Sequence, residues 1–434
     1  MKTPVNIFWF RRDLRLTDNN GLYHALSGKY PVLPVFIFDT NILDKLEEKK
    51  DKRISFIHRH LEKIKKFLEN RGSTLLVCHG KPLEVFHTLA GKYTIQSVYT
   101  NHDYEPYARL RDKQVRQFLE TKNTGFYSFK DQVISEKNEV LKNNGDPYRV
   151  YTPYMKKWKS ELAKSGIPCY PSEDLIHNFQ PMAPALDVSP RDLGFEPDRD
   201  DIPPGKPNKK KILNYHNTRD IPALDGTSRL GPHIRYGTVS IRHLVSKGRQ
   251  LNGQWLNELI WREFYMMILW HFPGVTEHAF NAKYEDLDWE NDEQKFRAWC
   301  GGKTGYPLVD AGMRQLNQTG YMHNRIRMVT AGFLTRHLLI DWKLGEAYFA
   351  KKLLDYELSS NNGGWQWAAG TGSDAVPYFR IFNPYIQQQK FDPEDRYIKR
   401  YVPEYGTEHY PGPIVDHKEA RERALKFYTT GRKK

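Results

Sequence analysis

Hydrophobic positions in the first third of the chain follow two periods in turn. Val5-Asn6-Ile7-Phe8-Trp9-Phe10 and residues 32–38, 74–78 and 97–100 are short β-branched or aromatic runs, the composition of strands. Between them, residues 53–70 place Ile54, Ile57, Leu61, Ile64 and Leu68 three and four apart, the spacing of one helix face. Strand, helix and strand in alternation predict an α/β domain with a doubly wound parallel sheet. The dinucleotide glycine fingerprint is absent after the first strand, where Arg11-Arg12-Asp13-Leu14-Arg15 stands instead.

From residue 170 to 211 the composition shifts to Pro, Asp, Ser and Lys, including Ile202-Pro203-Pro204-Gly205, which reads as a linker over the surface. Beyond it the strand signal fades and helical patterns dominate. The expected organisation is an α/β domain over 1–130, an interdomain linker over 131–211 and a large all-α domain over 212–434. A chain of 434 residues has the length for two to three such domains.

Composition narrows the class. With 66 Lys and Arg against 52 Asp and Glu, the net charge is +14, which favours a polyanionic partner. No run approaches the roughly 18 apolar residues of a membrane span. Met1-Lys2-Thr3-Pro4 leads straight into a strand pattern, with no signal peptide visible. Cys78, Cys169 and Cys300 give neither a disulfide framework nor a zinc spacing. These features predict a soluble protein of a reducing compartment, the cytoplasm, with no metal site.

Several segments carry candidate chemistry. Gly301-Gly302-Lys303-Thr304 looks like the end of a phosphate-binding loop. That motif needs glycine where Arg297 stands and a preceding strand, where 292–299 has a helical pattern. Around Trp261, the positions Leu256, Ile260, Phe264 and Met267 form a core stripe, and Glu258, Trp261, Arg262 and Tyr265 share another face. That second face is either the wall of a base-stacking pocket or a surface ion pair beside a packed indole. In a helix predicted over 321–340, Asn324 and Met328 lie on one face with Arg325 and Arg327 flanking. A mid-helix Asn is a poor helix former, so it marks either a functional position or an exposed polar one. All tryptophans but Trp9 and Trp158 lie in the helical part. Asn361-Asn362-Gly363-Gly364-Trp365-Gln366-Trp367 sets helix breakers before two indoles, which suggests backbone in close approach to a planar ligand. Thr227-Ser228-Arg229-Leu230-Gly231 precedes a helical pattern and offers hydroxyls and N–H groups of the kind a pyrophosphate uses, or an ordinary cap.

Taken together these segments resemble the photolyase/cryptochrome family, most closely its class I cyclobutane pyrimidine dimer members. The resemblance runs nearly end to end. It begins at Trp9-Phe10-Arg11-Arg12-Asp13-Leu14-Arg15-Leu16 and passes through Thr227-Ser228-Arg229-Leu230. It is strongest from Glu258-Leu259-Ile260-Trp261-Arg262-Glu263-Phe264-Tyr265 to Phe379-Arg380-Ile381-Phe382-Asn383-Pro384. It implies an FAD-binding all-α C-terminal domain and light-driven repair, in which reduced FAD donates an electron to a dimer flipped out of UV-damaged DNA.

Carried over by motif position, Tyr215, Thr227, Ser228, Arg229, Leu230 and Gly231 would hold the FAD phosphates and ribityl chain. Asp355, Tyr356 and Glu357 would lie near the flavin and ribose, Arg327 would pair with Asp355, and Asn361 would face flavin N5. Gly231 replaces a usual Ser and Glu357 a common Asp. Trp261 and Trp367 would pack on the flipped bases, with Arg262 and Tyr265 on the same wall. Glu258 and Asn324 would bond the base edges, and Met328 would sit beneath. Arg219, Arg325 and Gln387 match DNA-contact positions. Trp365, Trp342 and Trp299 match an electron relay that runs from the surface inward.

Within the family, a (6-4) enzyme would be expected to place a recognition His near Asn324 and Met328; neither position is His, which argues against that enzyme, and Trp367 argues against a DASH-type cryptochrome. Asn361 and the short tail Thr430-Gly431-Arg432-Lys433-Lys434 argue against a signalling member. Dimer repair is the favoured reading, and a blue-light photoreceptor without repair is the alternative. Asp103-Tyr104-Glu105-Pro106-Tyr107-Ala108-Arg109 resembles members with a deazaflavin or flavin antenna rather than methenyltetrahydrofolate, with Asp103 and Glu105 as contacts. A monomer is expected.

Overall fold

A computed structural model describes residues 4–198 and 202–431. The expectations placed on Met1 to Thr3 and on Arg432, Lys433 and Lys434 fall outside these residues, as do positions 199–201 of the anticipated linker.

The chain divides into two compact units. The first comprises Met1–Glu139, Lys159–Pro207 and Arg229–Gln250; the second comprises Val140–Trp158, Asn208–Ser228 and Leu251–Lys434. The first holds a five-stranded sheet in the order β3-β2-β1-β4-β5, with β1 Pro4–Phe10, β2 Val32–Asp39, β3 Leu76–Gly80, β4 Thr94–Asn101 and β5 Gly125–Phe129. Every pairing is parallel. β2 is buried at all of its positions and β1 at nearly all, as expected of strands covered on both faces. Val5, Ile7, Trp9, Leu33, Val35, Phe86 and Val115 build its core.

Several boundaries differ from the sequence pattern. β3 starts at Leu76 rather than 74. β5 was not anticipated: it is a short edge strand with half-exposed positions, too weak a hydrophobic run to read. The stretch 131–211 is largely not a free linker. Asp131 is buried and accepts hydrogen bonds from Arg15 and Arg242, and helix Tyr151–Ser165 lies within it. Residues 229–250, expected in the helical domain, belong to the first unit.

The second unit is helical. Its core combines Trp299, Leu308, Met313, Ile326, Phe333, Trp342, Phe349 and Trp365, from segments spread over some 70 positions of sequence. No helix among the described residues is long and apolar enough to cross a membrane.

Candidate functional site

Four helices of the second unit enclose one cavity of about 400 Å³. Helix Gly253–His271 starts where the Asn252 side chain accepts the N–H groups of Gln254 and Trp255, which satisfies donors the first turn leaves free. Its stripe Leu256, Ile260, Phe264 and Met267 is buried. The other face, Glu258, Trp261, Arg262 and Tyr265, lines the cavity. The four residues share one cavity wall, and Glu258 and Arg262 pair with Arg219 and Glu357 rather than with each other.

Helix Asn324–Arg336 contributes Asn324, Arg327, Met328 and Ala331 to the lining. It is shorter than the expected 321–340. Asn324 is not mid-helix: it is the first helical residue, after His323, whose side chain accepts the Arg325 N–H. Its weak helix propensity costs little there.

Helix Leu358–Ala369 brings Ser360, Asn361, Gly364, Trp365 and Trp367. The run Asn361-Asn362-Gly363-Gly364 does not break the helix but lies inside it. A Cβ on Gly363 would stand in the ring of Tyr265, whereas a Cβ on Gly364 would meet nothing within 4 Å. One glycine lets two helices close; the other leaves cavity space. Helix Trp342–Lys352 supplies Phe349.

Charges at the wall come as matched pairs. Arg219 Nη1 is 2.5 Å from Glu258 Oε1, Arg262 Nη2 is 2.8 Å from Glu357 Oε1, and Arg327 Nη2 donates to both Asp355 oxygens at 3.0 Å. Burial pushes the Glu258 pKa up, and Arg219 opposes that rise. Asn361 Nδ2 donates to the Glu346 carbonyl at 3.1 Å and to its Oε1 at 3.3 Å. Burial raises Glu346 to about 7, against the Asn361 hydrogen bond. Among the described residues no group of three or more His, Cys, Asp or Glu is placed to hold a metal ion.

Other expected residues lie outside this lining. Tyr215 belongs to the same unit, with Arg219 over its ring, and Thr227 Oγ1 is 3.2 Å from Tyr321 Oη. Ser228 ends that segment, while Arg229, Leu230 and Gly231 belong to the first unit. Arg325 pairs with Asp220 at 2.8 Å, and Gln387 lies on helix Pro384–Phe391. In the first unit, Asp103 and Glu105 face Arg12 at 3.3 and 3.0 Å, and Glu105 also pairs with Arg235 at 2.7 Å. Burial opposes ionisation of Asp103, yet Arg12, Arg11, Arg111 and Arg235 hold its pKa at about 2.

The three indoles expected to form a chain from the surface do not reach it. Trp299 is 0% exposed, and Trp342 and Trp365 are 2% exposed. Trp299 touches Trp365 edge to face with centroids 5.9 Å apart. The half-buried indoles packed on this core are Trp289 and Trp367, and Trp367 belongs to the cavity. Trp289 packs on Phe427 and Tyr428. Sequence reasoning also missed Glu346, whose single acid on a mixed helix carries no signal of the Asn361 contact.

The residues present suit an isoalloxazine-type ligand. Gly364 leaves a recess that a Cβ would fill, Phe349 and Trp365 offer flat apolar walls, and Asn361 offers an amide beside them.

Residues 6–172 match the family model described as DNA photolyase, and residues 255–407 the one described as the FAD binding domain of DNA photolyase. The chain is 35% identical to the deoxyribodipyrimidine photo-lyase of Halobacterium salinarum, over 99% of both chains. Its structure superposes on a bacterial class III photolyase from Agrobacterium tumefaciens with a TM-score of 0.87 and 34% identity, over 99% of this chain and 98% of that one. An archaeal photolyase from Sulfolobus tokodaii, described with two FAD molecules, gives a TM-score of 0.79 and 32% identity, over 99% and 100%.

Proposed function

Because the chain belongs to the DNA photolyase family, we propose that it is a light-dependent deoxyribodipyrimidine photo-lyase that uses FAD to split cyclobutane pyrimidine dimers in UV-damaged DNA. The observation that carries this reading is the convergence of Glu258, Trp261, Asn324, Met328, Asn361 and Trp367 on one cavity. When bound and reduced, FAD supplies an electron to the dimer under blue light and receives it back.

The chain's own residues bind and orient. Trp261 and Trp367 present planes to a flipped dinucleotide, and a damaged pair that stacks poorly costs less to extrude. Glu258, its pKa raised by burial against the pull of Arg219, becomes a neutral acid as the cleft fills and donates a hydrogen bond to a base carbonyl. Asn324 bonds the base edge and Met328 lies beneath it. Asn361, held by Glu346, presents its amide to the flavin, and the Arg262–Glu357 and Arg327–Asp355 pairs fix the cavity wall beside it. Tyr356 shares that wall. The phosphate and ribityl end is assigned to Tyr215, Thr227 and Ser228. Trp365, Trp342 and Trp299 would relay electrons toward the flavin site, with Trp299 in edge-to-face contact with Trp365.

The excess positive charge, with Arg325 and Gln387 among its contacts, would hold DNA phosphates and make binding weaken with salt. A monomer acting in the cytoplasm fits this reading. A second chromophore in the first unit is a flavin or deazaflavin, a reading supported by the Sulfolobus relative described with two FAD molecules. There Asp103 and Glu105 act by fixing Arg12 and Arg235.

The test is recovery of thymine absorbance in UV-irradiated oligothymidine. The photoreduced protein should restore it in blue light and not in darkness. Glu258→Ala with Trp261→Ala should abolish the recovery. Flavin photoreduction without any recovery would instead indicate a photoreceptor.

A further inference from the structure

Trp261 is braced on one face. Tyr151, the first residue of helix Tyr151–Ser165 and only 7% exposed, stacks on it with centroids 3.6 Å apart and planes within 6°. Aromatic pairs left to themselves prefer offset or edge-to-face arrangements, so such close parallel overlap needs external fixing. It has it at several points. Tyr151 Oη donates to the Asn257 carbonyl at 2.9 Å, and Tyr151 N–H donates to Asp374 Oδ2 at 3.1 Å. Phe264 meets both rings nearly edge-on.

The same segment reaches the second indole. Ser373 Oγ donates to the Arg149 carbonyl at 2.6 Å. Ser373 and Asp374 sit in the turn that folds back on Trp367, whose carbonyl accepts the Val376 N–H at 3.3 Å. Residues 149–151 therefore tie Trp261 by its face and Trp367 by its following turn. Neither indole is contacted by this segment through anything a sequence motif would reveal.

We propose that Tyr151 is a positioning residue for lesion recognition. It holds the plane of Trp261 with one face covered, so that only the opposite face is offered to a flipped pyrimidine. A platform fixed in advance loses no orientational freedom when the base arrives. The inference rests on the repair reading above.

The test compares wild type, Tyr151→Phe and Tyr151→Leu as holoenzymes in the dark. Affinities are measured for a duplex with one thymine dimer and for the same duplex undamaged. Tyr151→Leu keeps apolar bulk but removes the stacking plane. It should weaken dimer binding about fivefold to tenfold, leave undamaged-DNA affinity and flavin content within twofold, and raise KM in light with kcat unchanged. Tyr151→Phe keeps the stacking plane and loses one of its anchors, so it should weaken dimer binding clearly less than Tyr151→Leu does.

Unchanged dimer preference in Tyr151→Leu would overturn the inference. So would loss of flavin, or an equal fall in both affinities, because either assigns Tyr151 a merely structural role. A loss in Tyr151→Phe equal to that in Tyr151→Leu would place the effect in the hydroxyl anchor and overturn it too. A wild-type protein with no preference for the dimer would strike the repair reading itself, a separate outcome.

Discussion

Arg219 Nη1 lies 2.5 Å from Glu258 Oε1, so the carboxyl that faces the cavity carries its own counter-ion. Burial raises the Glu258 pKa and Arg219 is the largest opposing influence. If the neutral acid is the donor to the dimer, dimer affinity falls as pH rises through the Glu258 pKa. Removing the guanidinium no longer stabilises the carboxylate, so Arg219→Ala moves that fall to higher pH. Glu258→Gln, a permanent donor, should abolish the fall, and Glu258→Ala should weaken dimer binding about tenfold to a hundredfold. Dimer-binding isotherms across pH check all three.

Gly363 and Gly364 should respond in opposite ways. An added methyl at Gly363 meets the ring of Tyr265, and forcing a helix pair apart costs about 1–3 kcal/mol. At Gly364 the methyl meets nothing in the protein, and Gly to Ala within a helix gains up to about 1 kcal/mol. Gly363→Ala should therefore lower Tm, while Gly364→Ala should keep or raise it and weaken FAD binding. Thermal unfolding of the apoprotein and flavin titration separate the two effects.

Arg325 is held by Asp220 at 2.8 Å and is only partly available to a phosphate. Asp220→Asn should release it and tighten binding to undamaged DNA by about twofold to fivefold at low salt. The gain should shrink as salt is raised. Affinity measured over a salt series checks this.

The carboxylate of Asp103 serves its arginine neighbours. Its pKa of about 2, below the ordinary 3.8, reflects Arg12, Arg11, Arg111 and Arg235 outweighing burial. A depressed pKa contributes stability that is present above the unfolded-state value and lost as pH falls through the folded-state value. Asp103→Asn should thus destabilise the protein by about 1–3 kcal/mol at neutral pH, with the difference closing toward pH 2. Denaturant unfolding at neutral and acid pH reads this directly.

What the sequence disclosed follows from how local each feature is. β1 and β2 were legible because a sheet covered on both faces imposes continuous apolar runs. The Glu258, Trp261, Arg262 and Tyr265 face was legible because helical spacing alone aligns it. Asn324 was misplaced because its helix start depends on the His323 cap. Gly363 looked like a breaker because its reason for being glycine is the ring of Tyr265, nearly a hundred positions away. The return of residues 229–250 to the first unit, the stacking of Tyr151 on Trp261 and the full burial of Trp299 are long-range packing outcomes. No periodicity in the chain encodes them.

The most direct measurement uses an oligonucleotide with a single defined thymine dimer, the protein with its flavin photoreduced, and chromatography of the DNA after blue light. The account predicts conversion of the dimer to two intact thymines in light, none in darkness, and no strand cleavage. A dimer that survives illumination while reduced flavin remains bound would contradict it.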